Sequence, residues 1–496
     1  MPEYKKNVLL ITTIGTFMGS LDGSIVNIAI PSISTDLHST FEVIQWVTIA
    51  YLLVMAVTLV ALGRLADLRG RKQFFLLGIL IFTSLSLACA LATTPIMLVS
   101  FRAVQGFGSS LISANAPAII TEVFPPQERG KAMGTNVAAI YLGLTIGPVL
   151  GGFLVLFTWR SIFYINVPIG CILIPLGIAN LRKSEVREQK TMFDTPGMVM
   201  FALFLAPLLL CLTLGNTYGW NNLLIYVSIV VAIAGFAGFF VAELKARAPM
   251  IDLRLFRHNR MFAAGNITAL LNYIGINGVL FLMSIYLQSF LGFPAYIAGS
   301  LMLAAPLTQS LISTRSGRLS DRIGSRILCS VGMSVIALGI FLTIVFVNFL
   351  PIWYLPLSLC VMGVGTGLFS SPNQSAIMGS VEKKDLGIAS GVLSTMRTTG
   401  QCISVALLSA IVGSIMAIQL GQDKAMFLLN TAIATQAPLG GVGAAEIGLF
   451  QMGMSVAYGV SICLCLLGAF IALLRGKSTP IREEHGPHEN NIAETK

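Results

Sequence analysis

The sequence predicts an all-α integral membrane protein: two six-helix halves with two further helices between them. Three observations carry this. Apolar runs long enough to cross a bilayer occur fourteen times. Lysine and arginine collect on one side of those runs. Two short motifs recur at a nearly constant offset. Composition sets the class first. The 496 residues are 55% hydrophobic and only 10% charged, against about 25% charged in an average soluble chain.

A spanning helix needs about 20 apolar residues. Runs of that kind lie at 8–31, 45–62, 73–92, 95–122, 132–157, 161–181, 196–215, 222–243, 261–289, 295–314, 327–349, 352–378, 387–417 and 450–474. An even count puts both termini on one side. With that side cytoplasmic, it holds 27 of the 31 basic residues, as the positive-inside rule requires. Only Arg160 and Lys424 fall outside, while Arg102 and Arg397 remain within spans. The charge of +10 is thereby explained without nucleic acid. Lys5 and Lys6 before the first run imitate a secretory signal, but the run is too long and no A-x-A site follows. The first helix is expected to be its own insertion signal. Ile418–Phe450 is expected as the one long outer loop, and 478–496 as a polar, disordered tail.

The eight cysteines all fall in apolar runs and read as small buried hydrophobes. None has metal-ligand spacing with histidine, and His485 and His488 sit in the polar tail, so no metal is expected. No G-x-x-x-x-G-K-[ST] loop is present, which leaves ATP-driven pumping unsupported. No cofactor and no enzymatic activity are expected.

G-R-L-A-D-L-R-G-R-K (63–72) recurs as G-R-L-S-D-R-I-G-S-R (317–326), and E-R-G-K-A-M-G (128–134) as D-L-G-I-A-S-G (385–391). The offset near 255 exceeds what six helices need by the length of two more helices. The chain therefore divides into a six-helix half (1–183), two inserted helices (184–260), a second six-helix half (261–475) and a tail (476–496). Parallel repeats with a site between them near the bilayer midplane are a transporter pattern.

L-D-G-S-I-V-N-I-A-I-P (21–31) places Asp22 inside the first run. A carboxylate in hydrocarbon is costly. It is either a helix-packing group satisfied by a neighbour, or a functional acid. Burial favours the neutral form, so a functional Asp22 could carry a proton between the two sides. Arg102 lies about 10 Å along its helix from Pro95, and Asp22 about 13 Å from Pro31 at the same face. The depths match, so the two can pair, either as a static ion pair or as a switch. Arg102, Gln105, Gly106, Ser109 and Ser113 share one helical face, a polar strip unsuited to lipid. Gly15, Gly19 and Ala29 flank the Asp22 face. Gly143, Gly147 and Gly151 recur every four residues with Pro148 among them, a spacing for tight, kinked packing. On the ninth run, Asn266, Tyr273, Asn277, Ser284 and Gln288 share one face. That face is either a cavity wall or polar packing against another helix. Asn272 lies on the other side. Arg397 lies deep in the thirteenth run without an acid at comparable depth in its half.

These motifs together resemble one family. G-R-L-A-D-L-R-G-R-K resembles the loop signature of the major facilitator superfamily. R-A-V-Q-G-F-G (102–108) is similar to its fourth-helix motif, and G-P-V-L-G-G (147–152) to the fifth-helix motif of its antiporters. L-D-G-S-I-V-N-I-A-I-P resembles the first-helix signature of fourteen-span drug:proton antiporters of the EmrB/QacA type. The resemblance covers nearly the whole chain and implies the major facilitator fold. It implies proton transfer at Arg102 and a conformational latch at Gly63, Asp67 and Arg71, with Gly317 and Asp321 as counterparts. It also implies that the glycine-rich fifth helix seals the halves in antiport. The chain departs from exporters of divalent cationic drugs, which carry further acids in second-half helices; here there are none. The expected function is an inner-membrane exporter of small lipophilic compounds in exchange for protons, with drug or antibiotic resistance as its phenotype. Asp22 would carry the proton, Arg102 would tune it, and the polar strips would face substrate. An exporter of one physiological metabolite is the nearer rival, and a non-transporting membrane receptor the remote one. The expected partners are an amphiphilic substrate, protons and the bilayer, with a monomer as the working unit. Nothing in the sequence reports a periplasmic adaptor.

Overall fold

The structure, a computed structural model, describes residues 3–182, 194–246, 249, 253–381, 386–435 and 444–475. Among them, fourteen helices are long and apolar enough to cross a membrane. In order these spans are Glu3–Asp36, Phe41–Ala66, Arg71–Ala90, Pro95–Val123, Ala132–Val155, Ser161–Asn180, Thr195–Tyr218, Leu223–Lys245, Arg260–Phe290, Ala295–Ser313, Ser325–Phe349, Ile352–Gly379, Ile388–Leu420 and Ala445–Leu473. The lysine-rich and arginine-rich end, which also carries Glu3 and Arg475, is called the basic face below; the opposite end is the far face.

Local chemistry sets where the helices start and stop. The fourth begins where the Thr94 hydroxyl accepts from Met97 N–H, with Pro95 supplying a preset φ. The seventh and ninth begin at Asp194 and Asn259, whose side chains accept from Gly197 and Phe262. The repeated loop motif gains a physical reason at its second glycine. Gly70 has φ +108° and Gly324 φ +92°, each where one helix ends and the next begins. An L side chain rarely adopts that backbone, so both repeats keep glycine there.

Span one packs on span five, and span nine on span thirteen. The halves meet where spans two and thirteen, five and ten, and one and nine touch. Span seven packs against span thirteen and span two, and span eight against span seven.

The bonds across the halves gather toward the far face. Ser284 Oγ donates to the Asn27 carbonyl at 2.8 Å, and Gln288 Nε2 to the Ile28 carbonyl at 3.0 Å. Thr145 Oγ1 donates to the Pro306 carbonyl at 3.1 Å. Glycines permit the approach. A Cβ on Gly299 would stand 2.2 Å from the Pro148 carbonyl oxygen, and one on Gly152 2.6 Å from that of Ala295. Within the first half, a Cβ on Gly143, Gly147 or Gly151 would strike span one at Leu21, Ser24 or Ile25. The glycine ladder of span five therefore packs on one side within its half, and its far end meets the other half.

Some expectations are corrected. The outer stretch 418–450 is not simply a loop. It holds a helix, Gln422–Thr435, and Asn430 Oδ1 accepts from Phe41 N–H at 2.7 Å. Five cysteines are buried, but Cys171 and Cys463 lie on the outer surface of the bundle and Cys360 is half-buried. They face the apolar exterior, where a small apolar side chain costs nothing. The polar tail from 478 lies outside the described residues.

Close approach without a Cβ generates a prediction. A Cβ on Gly106 would lie 2.3 Å from the Tyr51 carbonyl oxygen, whereas one on Gly134 would meet nothing within 4 Å. Gly106→Val is expected to lower the melting temperature in detergent, from overpacking of about 1–3 kcal/mol or more. Gly134→Ala should hold or raise it, by about 0.5–1 kcal/mol of helix propensity. A normal melt for Gly106→Val would show that the two helices can part without cost.

Candidate functional site

Asp22 and Arg102 do meet. Arg102 Nη1 lies 2.5 Å from Asp22 Oδ2, with the two side chains 0% and 1% exposed. Neither charge has access to water from this position, so each must be satisfied by protein. Asp22 Oδ1 accepts from Asn166 Nδ2 at 3.0 Å and from Gln105 Nε2 at 3.4 Å. Arg102 Nε donates to the Val47 carbonyl at 3.1 Å, and Nη1 also to Gln105 Oε1 at 2.6 Å. Gln105 Nε2 donates onward to Ser86 Oγ at 2.7 Å. The guanidinium lies over the Tyr51 ring, 4.1 Å from its centroid, and 5.8 Å from that of Phe163. A desolvated cation–π contact of this kind contributes about 2 kcal/mol.

The contacts have a direction. Every partner of Asp22 in this cluster is a donor. A carboxylate accepts from all of them at once; a protonated carboxyl needs an acceptor for its O–H and would give up one. The arrangement fits the charged form, and adding a proton must loosen it.

The polar strip of span four serves this cluster more than a cavity. Gln105 is fully buried within it, and Ser109 accepts from the Tyr51 hydroxyl at 2.7 Å. In this structure both side chains are engaged in the cluster. Ser113 is half-buried and stands apart from these bonds.

The strip on span nine is divided. Gln288 and Ser284 are buried in the far-face contact with span one, and Asn266 is fully buried, donating to the Phe262 carbonyl. These three are packing rather than open wall here. Tyr273 and Asn277 are half-buried. Asn272 is fully buried and its side-chain amide is unpartnered.

The loop motif is visible only in part. Arg71 Nη1 donates to the Ala118 carbonyl at 3.1 Å and lies 3.7 Å from Glu122, both in span four. A Cβ on Gly63 would stand 3.3 Å from Ala114, and one on Gly317 2.9 Å from Ser371. The side chains of Asp67 and Asp321 lie outside the described residues. The ranges 183–193 and 382–385, which carry part of the repeat boundaries, do so too.

Four members of the cluster escaped sequence reading: Val47, Tyr51, Ser86 and Asn166. Ser86 and Asn166 are polar residues inside apolar spans, and that signal could have found them. Tyr51 contributes a ring and Val47 a carbonyl, for which sequence offers no signal. Two spaces lie away from this cluster: a groove of about 430 Å³ beside Phe256, Arg260 and Leu474, and one of about 10 Å³ beside Asn216. Among the described residues no cluster could hold a metal.

Removing one ion from a buried pair strands the other. Arg102→Ala is expected to destabilise the fold by about 3–5 kcal/mol, and Arg102→Gln with Asp22→Asn to recover most of it. Thermal melting in detergent reads both. A wild-type melt for Arg102→Ala would mean that water reaches Asp22.

Comparison with known proteins agrees with this geometry. Residues 12–405 match the Major Facilitator Superfamily. The chain is 36% identical over 404 residues to the riboflavin transporter RibZ of Clostridioides difficile (strain 630), covering 81% of this chain and 87% of the relative. It is 32% identical over 408 residues to the multidrug resistance protein Stp of Mycobacterium tuberculosis (strain ATCC 25618 / H37Rv), covering 82% and 75%. Over 510 residues it is 28% identical to the tetracenomycin C resistance and export protein of Streptomyces glaucescens, covering 97% and 93%. The solved structure of a bacterial homolog to the human lysosomal transporter Spinster, inward-facing and unoccupied, superposes with a TM-score of 0.68 at 17% identity, covering 96% and 97%. A D-xylose-proton symporter gives 0.65 at 15%, covering 95% and 98%. By motif, fold and sequence, this chain belongs to the Major Facilitator Superfamily of membrane transporters.

Proposed function

We propose that the chain is a proton-coupled exporter of small lipophilic compounds, an antiporter of the fourteen-span EmrB/QacA type, working by alternating access. One observation carries the reading. Asp22 and Arg102 form a sealed pair, and the carboxylate has only donors around it. A proton on Asp22 removes the charge that Arg102 grips. The guanidinium then leans on Gln105, the Val47 carbonyl and the Tyr51 ring, which already hold it. Proton binding and helix position are thereby linked through spans one, two and four. The multidrug and resistance proteins among the relatives support export of lipophilic compounds.

The halves divide as 1–183 and 261–475, with 184–260 inserted. The basic face is cytoplasmic, both termini lie there, and the membrane is the inner membrane; the charge asymmetry supports this. Asp67 and Arg71, with Gly63, Gly317 and Asp321, latch that side, and the glycines of span five seal the far side. The pair and the interface between the halves lie within one chain, which supports a monomer as the working unit. A second reading is favoured by one observation, the 36% identity to a riboflavin transporter: an exporter dedicated to a single metabolite.

The test uses purified protein in liposomes with an imposed pH gradient and a panel of fluorescent amphiphiles. Wild type is expected to accumulate a dye against its gradient. Asp22→Asn is expected to lose uphill movement by about tenfold while retaining downhill exchange, since the coupling charge alone is gone. Uphill transport by Asp22→Asn would place the proton site elsewhere. Deep in the membrane the acid is one and the arginines are two, so a dicationic dye is expected to be a poor substrate. Strong export of a dication would refute that.

A further inference from the structure

Arg397 is the second deep arginine, and the pair described above does not use it. It lies on span thirteen, about 14 Å from Ile388 at the basic end, near the middle of a core about 30 Å thick. Arg102 has Asp22. Arg397 makes no ion pair among the described residues. A guanidinium at that depth needs a water-filled cavity or a counter-ion.

Its surroundings place it between the halves. The Tyr273 hydroxyl of the second half lies beside it, and Tyr51 and Tyr141 of the first half lie within reach of its charge. The helix is held at that place on both sides. One turn beyond, a Cβ on Gly400 would stand 2.8 Å from the Leu270 carbonyl oxygen and 2.9 Å from Tyr273 Cβ; nearer the basic end, one on Gly391 would stand 3.5 Å from Val60. Arg397 is half-buried, as are Tyr141 and Tyr273. With neighbours from both halves, that exposure opens onto the space between them rather than onto lipid. Ser390, Ser394, Arg397 and Gln401 fall on one helical face and are all half-buried. A polar stripe centred on an unneutralised arginine thus faces tyrosines of both halves.

We propose that Arg397, with Tyr141 and Tyr273, forms a binding site for the anionic group of a flat aromatic substrate. The guanidinium fork matches a carboxylate or a similar planar anion in two parallel hydrogen bonds. The tyrosine rings offer faces to an aromatic body, and their hydroxyls offer donors. The inference deepens the exporter reading, on which its transport meaning rests, by naming the substrate class.

The test compares three probes with one ring: 1-pyrenecarboxylate, 1-pyrenemethanol and 1-pyrenemethylamine. Binding is read by fluorescence on the full chain in nanodiscs, with empty discs subtracted. Proton exchange is read separately in liposomes. Wild type is expected to bind the carboxylate about tenfold more tightly than the alcohol, the worth of one charge-assisted contact, and the amine least. Arg397→Gln is expected to abolish that preference and to change alcohol binding less than about twofold. Arg397→Lys keeps the charge but loses the fork, and is expected to keep only part of the preference. It decides the matter should Arg397→Gln fail to fold. A wild-type protein without carboxylate preference, or variants that keep it intact, would overturn the proposal. Carboxylate preference lost in the variants, without proton exchange in liposomes, would uphold the site and sink the exporter reading instead.

Discussion

The structure turns on one interaction, the contact of Arg102 with Asp22 in a place that water does not reach. Two buried ions are tolerated only when their remaining bonding capacity is met. That requirement recruits Gln105 from the same span, Ser86 from span three, Val47 and Tyr51 from span two, and Asn166 from span six. The pair thus binds five of the six helices of the first half to one charge state. Such a network is satisfied with the proton absent and loses a bond with it present.

Close helix contact is the second constraint. In a bilayer, apolar side chains gain little by leaving lipid, so association depends on packing and polar bonds. Span five meets this through glycine. Its ladder lets span one approach within the half, and Gly152 with Gly299 lets backbone meet backbone across the halves. The hydrogen bonds from Ser284, Gln288 and Thr145 lie in the same far-face region. Bonds of this sort each contribute modestly to holding the spans together. Span seven packs against span thirteen.

The first six and the last six spans differ in how they hold a deep arginine. Arg102 pairs with Asp22, whereas Arg397 makes no ion pair among the described residues.

The sequence by itself determined the class of the protein. Fourteen apolar runs, a one-sided distribution of basic residues and an internal repeat follow from bilayer thickness and insertion energetics, which act on local segments. It also named Asp22 and Arg102 as partners, because both are costly in hydrocarbon and their depths along two helices could be counted. Gly70 and Gly324 were legible as repeated glycines, and their positive φ explains the repetition. What only the tertiary structure decided was which face met which. Helical periodicity groups Asn266, Tyr273, Asn277, Ser284 and Gln288 together, but it does not say how far along the bundle the halves touch. Gln288 and Ser284 fell in the far-face contact with span one, while Tyr273 is half-buried. Asn166, Ser86 and Tyr51 joined the ion pair for the same reason. Their place depends on the packing of separate helices, and a local pattern carries no record of that.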